Sequence, residues 1–390
     1  MSRWQEYHPS QSCSITTTEQ PPIIALLRRE KEYLEVVSRC EHELPMPTLH
    51  TQWRTNIFEW FYKIIDHFML HRAVVSVAMD YFDRFVLIQE LHRINHATTN
   101  NTVPPSVYSN VATDLKIYQL AAMTSLYIAM KVHAGNEEGP TTSPWKIKRK
   151  TFSLTGFVKL SRGTFTSQDI LAMELDILKI LEWKMNPVTP ACFLDAFMAL
   201  IPTTDEIMTL EASVEGSHHR KERYEKKIHF SLYIYYELAR YLFELAMCIP
   251  GITPYFHTSY SGDKTQTHPF SSSAIAFASA SLAMDMMSTS VLSPRVRVIF
   301  LQRCMDIEDH PYYKDLSCCR RISPNSDVNI HLKKIIHQNF IPEYVLGSLP
   351  GHDGRNPFTV ACDMGMFTSI FSKTDVQPDS PTSPIEEAAM

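Results

Sequence analysis

The scarcity of glycine is the feature that most restricts the fold of this chain. Glycine occurs 11 times in 390 residues, which is under half of the ~7% that is usual in proteins. No stretch reads G-x-G-x-x-G or G-x-x-x-x-G-K-[ST], the loops that cradle phosphates in dinucleotide-binding and P-loop folds. The sequence therefore argues against those enzyme folds and favours a helical protein.

Apolar residues recur at helical spacing through most of the chain, which predicts an all-α fold. Thr166 and Asp169 have the spacing of a capping box before one apolar run. Thr189 and Pro190 have the pattern of a helix start with proline at the first position. Polar loops are predicted at 95–110 and 134–150. From residue 51 two apolar stripes follow each other, and later helices are predicted at about 115–131, 170–181, 190–201, 225–248, 272–288, 294–305 and 327–338.

Composition and helix breaks divide the chain into four parts. Two of them are flexible ends: a polar N-terminal arm with one short helix, and a tail whose last part, 372–390, is rich in serine, proline and acidic residues and has no core of its own. An alanine-rich segment in each of the other two, offset by 154 positions, is expected to be the central helix of its half. The predicted parts are the arm at 1–50, a first helical repeat at 51–186, a second at 187–340 and the flexible tail at 341–390.

Charge and hydropathy exclude several classes of partner. The formal net charge is -5, so the chain lacks the basic face that broad nucleic-acid binding requires. The N-terminus has no apolar signal-peptide core. The most apolar long segment, 232–249, carries Glu237, Arg240 and Glu244 on one face of a helix, so it is predicted to be a core helix. We therefore expect no membrane partner and no nucleic acid.

The cysteines and histidines do not have the spacing of a metal or catalytic site. The eight cysteines contain no C-x-x-C pair, which is typical of reduced thiols in the cytosol or nucleus. The 17 histidines contain no H-E-x-x-H motif. The pair at 218–219 is expected to be solvated rather than a ligand, and the adjacent cysteines at 318–319 to be idle or buried rather than redox-active. No motif supports nucleophilic catalysis, so we expect no catalytic residue, metal or cofactor.

Several segments together resemble the cyclin family in their order and spacing. The resemblance implies two consecutive five-helix cyclin-like repeats with flexible N- and C-terminal segments. The long segments around the third helix are most similar to those of cyclins from diatoms and related algae. The matching segments are 53–60, the opening of the cyclin box, 80–85 in its second helix, 120–131 in its third, and 170–190 in its fifth helix and the link to the second repeat.

The resemblance implies that Arg54 and Asp83 form a structural ion pair inside an otherwise apolar fold. Both residues lie among the apolar positions of their predicted helices. Two opposite charges are tolerated in a core if they pair, and breaking such a pair costs about 3–5 kcal/mol because one charge is stranded. The alternative is two solvated charges near helix ends.

The resemblance also implies that Lys131, Glu174 and Trp183 contact a cyclin-dependent kinase. From the residues alone, Lys131 at a helix end and Glu174 near a helix start would each suit the helix dipole. A tryptophan is a favoured anchor of binding hot spots. A place in the core is the alternative for Trp183.

A docking groove for peptides is a further expectation from the resemblance. In the family the first helix offers a shallow groove to short basic-hydrophobic motifs of substrates or inhibitors. The matching positions here are Ile57, Trp60 and Gln119. The sequence departs from the family at Trp53, which replaces a methionine, and at Asn56, which replaces an aliphatic residue.

Two polar segments suggest regulation and location. Ser380 and Ser383 each precede a proline in the acidic tail, where a proline-directed kinase could add charge without disturbing a core. The basic run at 146–150 is either a nuclear localisation signal or a solvated loop. We expect the protein in the nucleus, the cytoplasm or both.

These observations predict a regulatory subunit rather than an enzyme. The expected function is to bind and activate a cyclin-dependent Ser/Thr protein kinase in cell-cycle control. The alternative is a transcription or scaffold protein that uses the same fold to bridge other partners. A helical metal-dependent enzyme is a third class, for which the sequence offers no motif.

Overall fold

The computed structural model describes residues 22–38, 46–99, 108, 110–133, 153–210, 218–256, 270–308, 323–342, 345 and 356–368. Within them the secondary structure is helical, with an isolated bridge between Met287 and Phe367 and no strand. The all-α prediction is confirmed. The helices are α1 (Pro22–Ser38), α2 (Thr48–His67), α3 (Ala73–Thr99), α4 (Leu115–His133), α5 (Leu154–Leu160), α6 (Ser167–Ile180), α7 (Pro190–Met198), α8 (Thr204–Leu210), α9 (His218–Cys248), α10 (Ser272–Met286), α11 (Pro294–Glu308), α12 (Asp327–Gln338) and α13 (Pro357–Asp363).

The first half of the molecule is built around α4. This helix packs against α2, α3 and α6, and every residue from 120 to 130 is buried. Small side chains at Ala121, Ala122, Ser125 and Ala129 let the neighbouring helices approach closely. The alanine-rich segment therefore holds the central position that the sequence predicts.

The second half repeats this arrangement around α10. This helix packs against α7, α9 and α12, and every residue from 272 to 284 is buried. The hydroxyl of Ser271 accepts a hydrogen bond from the Ala274 amide at 3.2 Å and so caps the start of the helix. The alanine-rich helices are thus the centres of two five-helix groups, α2 to α6 and α7 with α9 to α12.

The predicted start signals lie where the helices begin. Thr166 caps α6, because its hydroxyl accepts from the Asp169 amide at 3.2 Å and the Asp169 carboxylate accepts from the Thr166 amide at 2.8 Å. Thr189 precedes α7 with Pro190 in the first turn. Its hydroxyl lies 3.5 Å from Cys192 Sγ and makes no capping bond to the backbone.

The structure differs from the sequence-based prediction at short or polar helices. α3 continues to Thr99, through the first residues of the segment predicted as a polar loop. The helices α5, α8 and α13 were not predicted. Each has seven residues, about two turns, which is too short to show an apolar period.

One of these helices lies in the segment that was predicted to be a flexible tail. Asn356 caps α13, since its side-chain oxygen accepts from the Phe358 amide at 2.9 Å. Phe358, Ala361 and Met366 are buried, and α13 packs against α9. The segment 356–368 thus packs on the second half although it lies within the predicted tail at 341–390, whereas 372–390, the part predicted to lack a core, lies outside the described residues. The candidate phosphorylation sites Ser380 and Ser383 lie outside the described residues, as do the basic run at 146–150 and the cysteines at 318–319.

α1 joins the N-terminal part of the chain to the second half. It packs against α7 and α10. The buried carboxylate of Glu30 accepts hydrogen bonds from the Ser273 amide at 2.9 Å and from its hydroxyl at 2.6 Å. Because these groups lie in the first turn of α10, the negative charge also suits the dipole of that helix.

Candidate functional site

Arg54 and Asp83 lie face to face in the interior. Arg54 Nη2 is 3.0 Å from Asp83 Oδ2, and both side chains are buried. Arg54 Nη1 donates to the Met247 carbonyl at 2.8 Å, and the Thr55 hydroxyl donates to the Cys248 carbonyl at 2.8 Å. The two carbonyls end α9, so the pair holds α2, α3 and the second half together.

The same polar cluster contains a histidine that the sequence did not single out. His50 Nε2 lies 3.1 Å from Asp83 Oδ1, and His50 Nδ1 lies 3.0 Å from the Tyr118 hydroxyl. Burial lowers the pKa of His50, although Asp83 opposes this. Burial alone would raise the pKa of Asp83, but Arg54 and His50 hold it below its ordinary value. The cluster is therefore a carboxylate paired with a guanidinium and a neutral imidazole.

Lys131 and Glu174 meet at the surface where α4 and α6 cross. Lys131 Nζ is 2.6 Å from Glu174 Oε1 and 4.9 Å from the centre of the Tyr127 ring. Lys131 lies in the last turn of α4, as the dipole interpretation requires. Glu174 lies in the middle of α6, so that interpretation does not hold for it. The Lys131 side chain is 44% exposed and that of Glu174 only 12%, so the pair lies at the edge of the core with the ammonium open to solvent.

Trp183 lies outside the core. Its side chain is 64% exposed, so the core alternative is wrong. It follows the end of α6 in a turn where both Glu182 and Trp183 have positive φ, 52° and 58°. A conformation of this kind costs about 1–3 kcal/mol for a residue other than glycine. The backbone therefore accepts strain at the point where it presents the indole to solvent.

Exposed apolar side chains lie close in sequence to Lys131 and Glu174 on α4 and α6. Val132 follows the lysine and is 41% exposed, and Leu171 and Leu175 lie one turn apart on the outer surface of α6. The sequence does not single out these two leucines, because the run 170–181 is apolar on more than one face. The excess of apolar residues in this run is the sequence signal that could have indicated an exposed apolar face. We call this surface the α4–α6 face; it consists of Lys131, Val132, Leu171, Glu174, Leu175 and Trp183.

The residues of the expected peptide groove are only partly available. α2 and α4 pack against each other, which places Ile57 and Trp60 on one helix and Gln119 on its neighbour. Ile57 is buried, whereas Trp60 and Gln119 are half-buried. The indole and the amide are therefore the groups that a peptide could reach.

Other classes of site find little support in the described part of the chain. No group of three or more His, Cys, Asp or Glu side chains there is close enough to hold a metal ion. No helix there has both the length and the apolar character needed to cross a bilayer.

Comparison with known proteins finds similarity to cyclins over the first half of the chain. The family model described as the cyclin N-terminal domain matches residues 23–186. Similar curated proteins include the G1/S-specific cyclin-E1 of Danio rerio, 28% identical over 52% of this chain and 44% of that protein. The cyclin-E1 of Gallus gallus is 30% identical over 47% of this chain and 38% of that protein. Cyclin-D3-3 of Arabidopsis thaliana is 29% identical over 36% and 30%.

The matched stretch spans less than half the length of these relatives. Among solved structures, a viral cyclin from herpesvirus saimiri matches 81% of this chain and 98% of its own length, with 14% identity and a TM-score of 0.35. These comparisons leave the similarity to cyclins of diatoms and related algae as a prediction.

Proposed function

We propose that this chain, which is similar to cyclins over residues 23–186, is a regulatory subunit that binds and activates a cyclin-dependent Ser/Thr protein kinase in cell-cycle control. It would act in the nucleus, the cytoplasm or both. In this proposal the chain contributes binding energy and no catalytic group, and it needs no cofactor.

The α4–α6 face is the observation that carries the proposal. It combines an exposed tryptophan and exposed leucines with an ordered ion pair. Aromatic anchors with apolar neighbours are typical of binding hot spots. Lys131 Nζ has three donors, so it can bond a partner's carbonyl oxygen while it remains paired with Glu174.

Activation follows if this face binds the active conformation of the kinase more tightly than the inactive one. To move a kinase from 1:99 to 99:1 active, the difference in binding free energy must be about 5.5 kcal/mol. An interface of ~1,600 Å² is the standard size for a stable complex. Trp183, Leu171 and Leu175 would lie at its centre, where truncation of a side chain has its largest effect.

Peptide docking is a second part of the proposal. Trp60 and Gln119 would bind short basic-hydrophobic motifs of substrates or inhibitors, with the indole packing on an apolar side chain and the amide bonding the peptide backbone. Ser380 and Ser383 remain proposed phosphorylation sites.

Kinase activation by the full chain tests the proposal. The purified chain is mixed with a purified cyclin-dependent kinase, and phosphorylation of a histone substrate is measured with and without it. We expect activity only when the chain is present, and a loss of at least tenfold in affinity for Trp183→Ala. Val298→Ala on α11 is the matched control, since Val298 is 62% exposed and Trp183 64%. Equal affinities of the two variants would refute the assignment of the site.

A scaffold or transcription role is the second candidate, and the start of α9 favours it. Lys221, Arg223 and Lys227 are exposed there among fewer acidic residues. Such a basic surface can contact phosphates or acidic peptides. DNA binding that falls steeply with salt, together with no effect on any cyclin-dependent kinase, would favour this candidate over the first.

A further inference from the structure

The turn that carries Trp183 is held in place from several sides. Its amides close the end of α6, with Glu182 N donating to the Lys179 carbonyl at 3.0 Å and Trp183 N to the Leu178 carbonyl at 2.9 Å. These bonds form a Schellman motif, which accounts for the positive φ of Glu182 but not for the second positive φ, at Trp183. Strained conformations of this kind persist only where the surroundings hold them.

The three carbonyls after Trp183 provide that support. Lys184 O accepts from Arg84 Nη2 at 3.0 Å. Met185 O accepts from the hydroxyl of Tyr81, and His133 Nε2 lies 3.1 Å from the same oxygen. Asn186 O accepts from Nη2 of Arg29 on α1 at 2.5 Å. The segment is therefore anchored to α1, α3 and α4 immediately after the exposed indole.

Arg84 is the more deeply buried of the two arginines among these anchors. Its side chain is buried, and its Nε donates to Asp80 Oδ2 at 2.7 Å. Its guanidinium lies 4.9 Å from the centre of the Tyr33 ring. Asp80 also accepts a hydrogen bond from the hydroxyl of Tyr255, which follows α9 in the second half. One arginine thus connects α1, α3, the Trp183 turn and the second half.

We propose that Arg84 is a positioning residue for Trp183, acting through the Lys184 carbonyl, and that Tyr255 couples the second half to the same position through Asp80. The proposal rests on the function proposed above, because it concerns how the α4–α6 face is presented to the kinase. The planar fork of arginine bonds Asp80 and the carbonyl at once, whereas a lysine in its place has a single ammonium and cannot span both.

The position of the indole can be observed directly in the full chain by fluorine NMR. The five tryptophans are labelled with 5-fluorotryptophan, and Trp183→Phe identifies the Trp183 resonance. We expect Arg84→Lys to shift or broaden that resonance and to leave those of Trp53 and Trp60 in place. Tyr255→Phe is expected to change it less, and it serves as the second variant if Arg84→Lys does not fold.

Arg303 supplies a matched control. It also joins a carbonyl to a carboxylate, donating to Leu200 O at 3.1 Å and to Glu206 Oε1 at 2.7 Å. Arg303→Lys should leave the Trp183 resonance unchanged. A Trp183 resonance unchanged in Arg84→Lys, or changed equally in Arg303→Lys, overturns the proposal.

Kinase affinity separates positioning from a general structural role. Arg84→Lys should weaken binding about tenfold in the natural background but less than about twofold when combined with Trp183→Ala, because residues that act as a unit are not additive. A tenfold loss in both backgrounds overturns the proposal. If the natural chain binds no cyclin-dependent kinase, the proposed function fails, and the fluorine resonance still decides whether Arg84 positions the indole.

Discussion

The C-terminal ends of the two central helices have related ion pairs but different surroundings. Lys131 at the end of α4 pairs with Glu174 of α6. The position 154 residues later is Asp285 at the end of α10, which pairs with Lys333 of α12. The charges are reversed, yet in both halves the pair joins the central helix to a neighbouring helix. The ion pairs alone therefore do not distinguish the end of α4 from the end of α10.

The residues that follow Lys131 and Asp285 differ in their exposure. Val132 is exposed, whereas Met286, which follows Asp285, is buried. In the second half the segment after α13 covers this edge, since Thr368 N donates to Met286 O at 2.9 Å and Ser288 N donates to Met366 O at 2.8 Å. No described segment makes equivalent contacts with Val132. The second half therefore covers this edge with its own chain, whereas Val132 is exposed at the matching edge of the first half.

Weakening the packing of α13 on the second half should have the largest effect on stability. Phe358→Ala is expected to lower the free energy of unfolding by about 3–5 kcal/mol, because it leaves a cavity under a fully buried ring. Leu171→Ala on the α4–α6 face should lower the free energy of unfolding by less than about 0.5 kcal/mol. Urea unfolding curves measure both. Similar losses would mean that the two edges are equally covered.

Swapping the charges of each pair should separate binding from stability. The double variant Lys131→Glu with Glu174→Lys keeps an ion pair but is expected to lower kinase affinity about 100-fold, by about 2.7 kcal/mol. The matching swap of Asp285 and Lys333 should change affinity less than about twofold. Calorimetric titration gives the affinities, and thermal unfolding checks the fold. The α4–α6 face is not the binding site if both swaps change kinase affinity equally.

A new charge on each outer helix should give a smaller contrast. Leu171→Glu is expected to weaken kinase binding about tenfold, because the partner would bury an unpaired carboxylate. Ile330→Glu is the control, since Ile330 lies three residues before Lys333 as Leu171 lies three before Glu174, and the two are 56% and 48% exposed. Binding lost in both variants would contradict a site confined to the first half.

The pH dependence of stability should show the smallest effect. Because burial lowers the pKa of His50, the unfolded state binds its proton first, and stability falls as pH decreases through about 6.5. Next to His50 are Asp83, Arg54 and Tyr118. Between pH 6.5 and 5.5 we expect a loss of about 1 kcal/mol that is absent in His50→Gln.

The natural chain must be compared with His50→Gln because other buried groups change stability with pH in the opposite direction. Burial raises the pKa of Asp80 and Glu244, so these carboxyls favour the folded state as pH falls. Identical pH profiles for the natural chain and His50→Gln would show that the imidazole does not titrate on unfolding. Unfolding midpoints in urea at each pH supply the measurement.

Long helices could be predicted from the sequence because their cause is local. The run 327–338 is a helix over the predicted residues, and α10 begins at the predicted Ser272. Apolar spacing and capping residues act within one or two turns. Helices of seven residues contain too few turns to show this pattern, so α5, α8 and α13 became visible only through their packing.

The candidate site could be predicted only in part. Resemblance to a family placed Lys131 and Glu174 at the site, and the structure brings their side chains together. The resemblance did not point to Leu171 and Leu175. It also left open whether Trp183 lies in the core or at the surface. The spacing of apolar residues shows that a helix has an apolar face, but not whether a neighbour covers it.

By itself, then, the sequence determined that this chain is helical, that its alanine-rich helices are central, and which residue types belong to each helix. Tertiary structure alone decided which apolar residues stay uncovered. Burial depends on segments distant in the chain, such as 366–368 packing beside 286–288. The same dependence governs the Trp183 turn, whose support comes from Arg84, about 100 residues earlier in the chain.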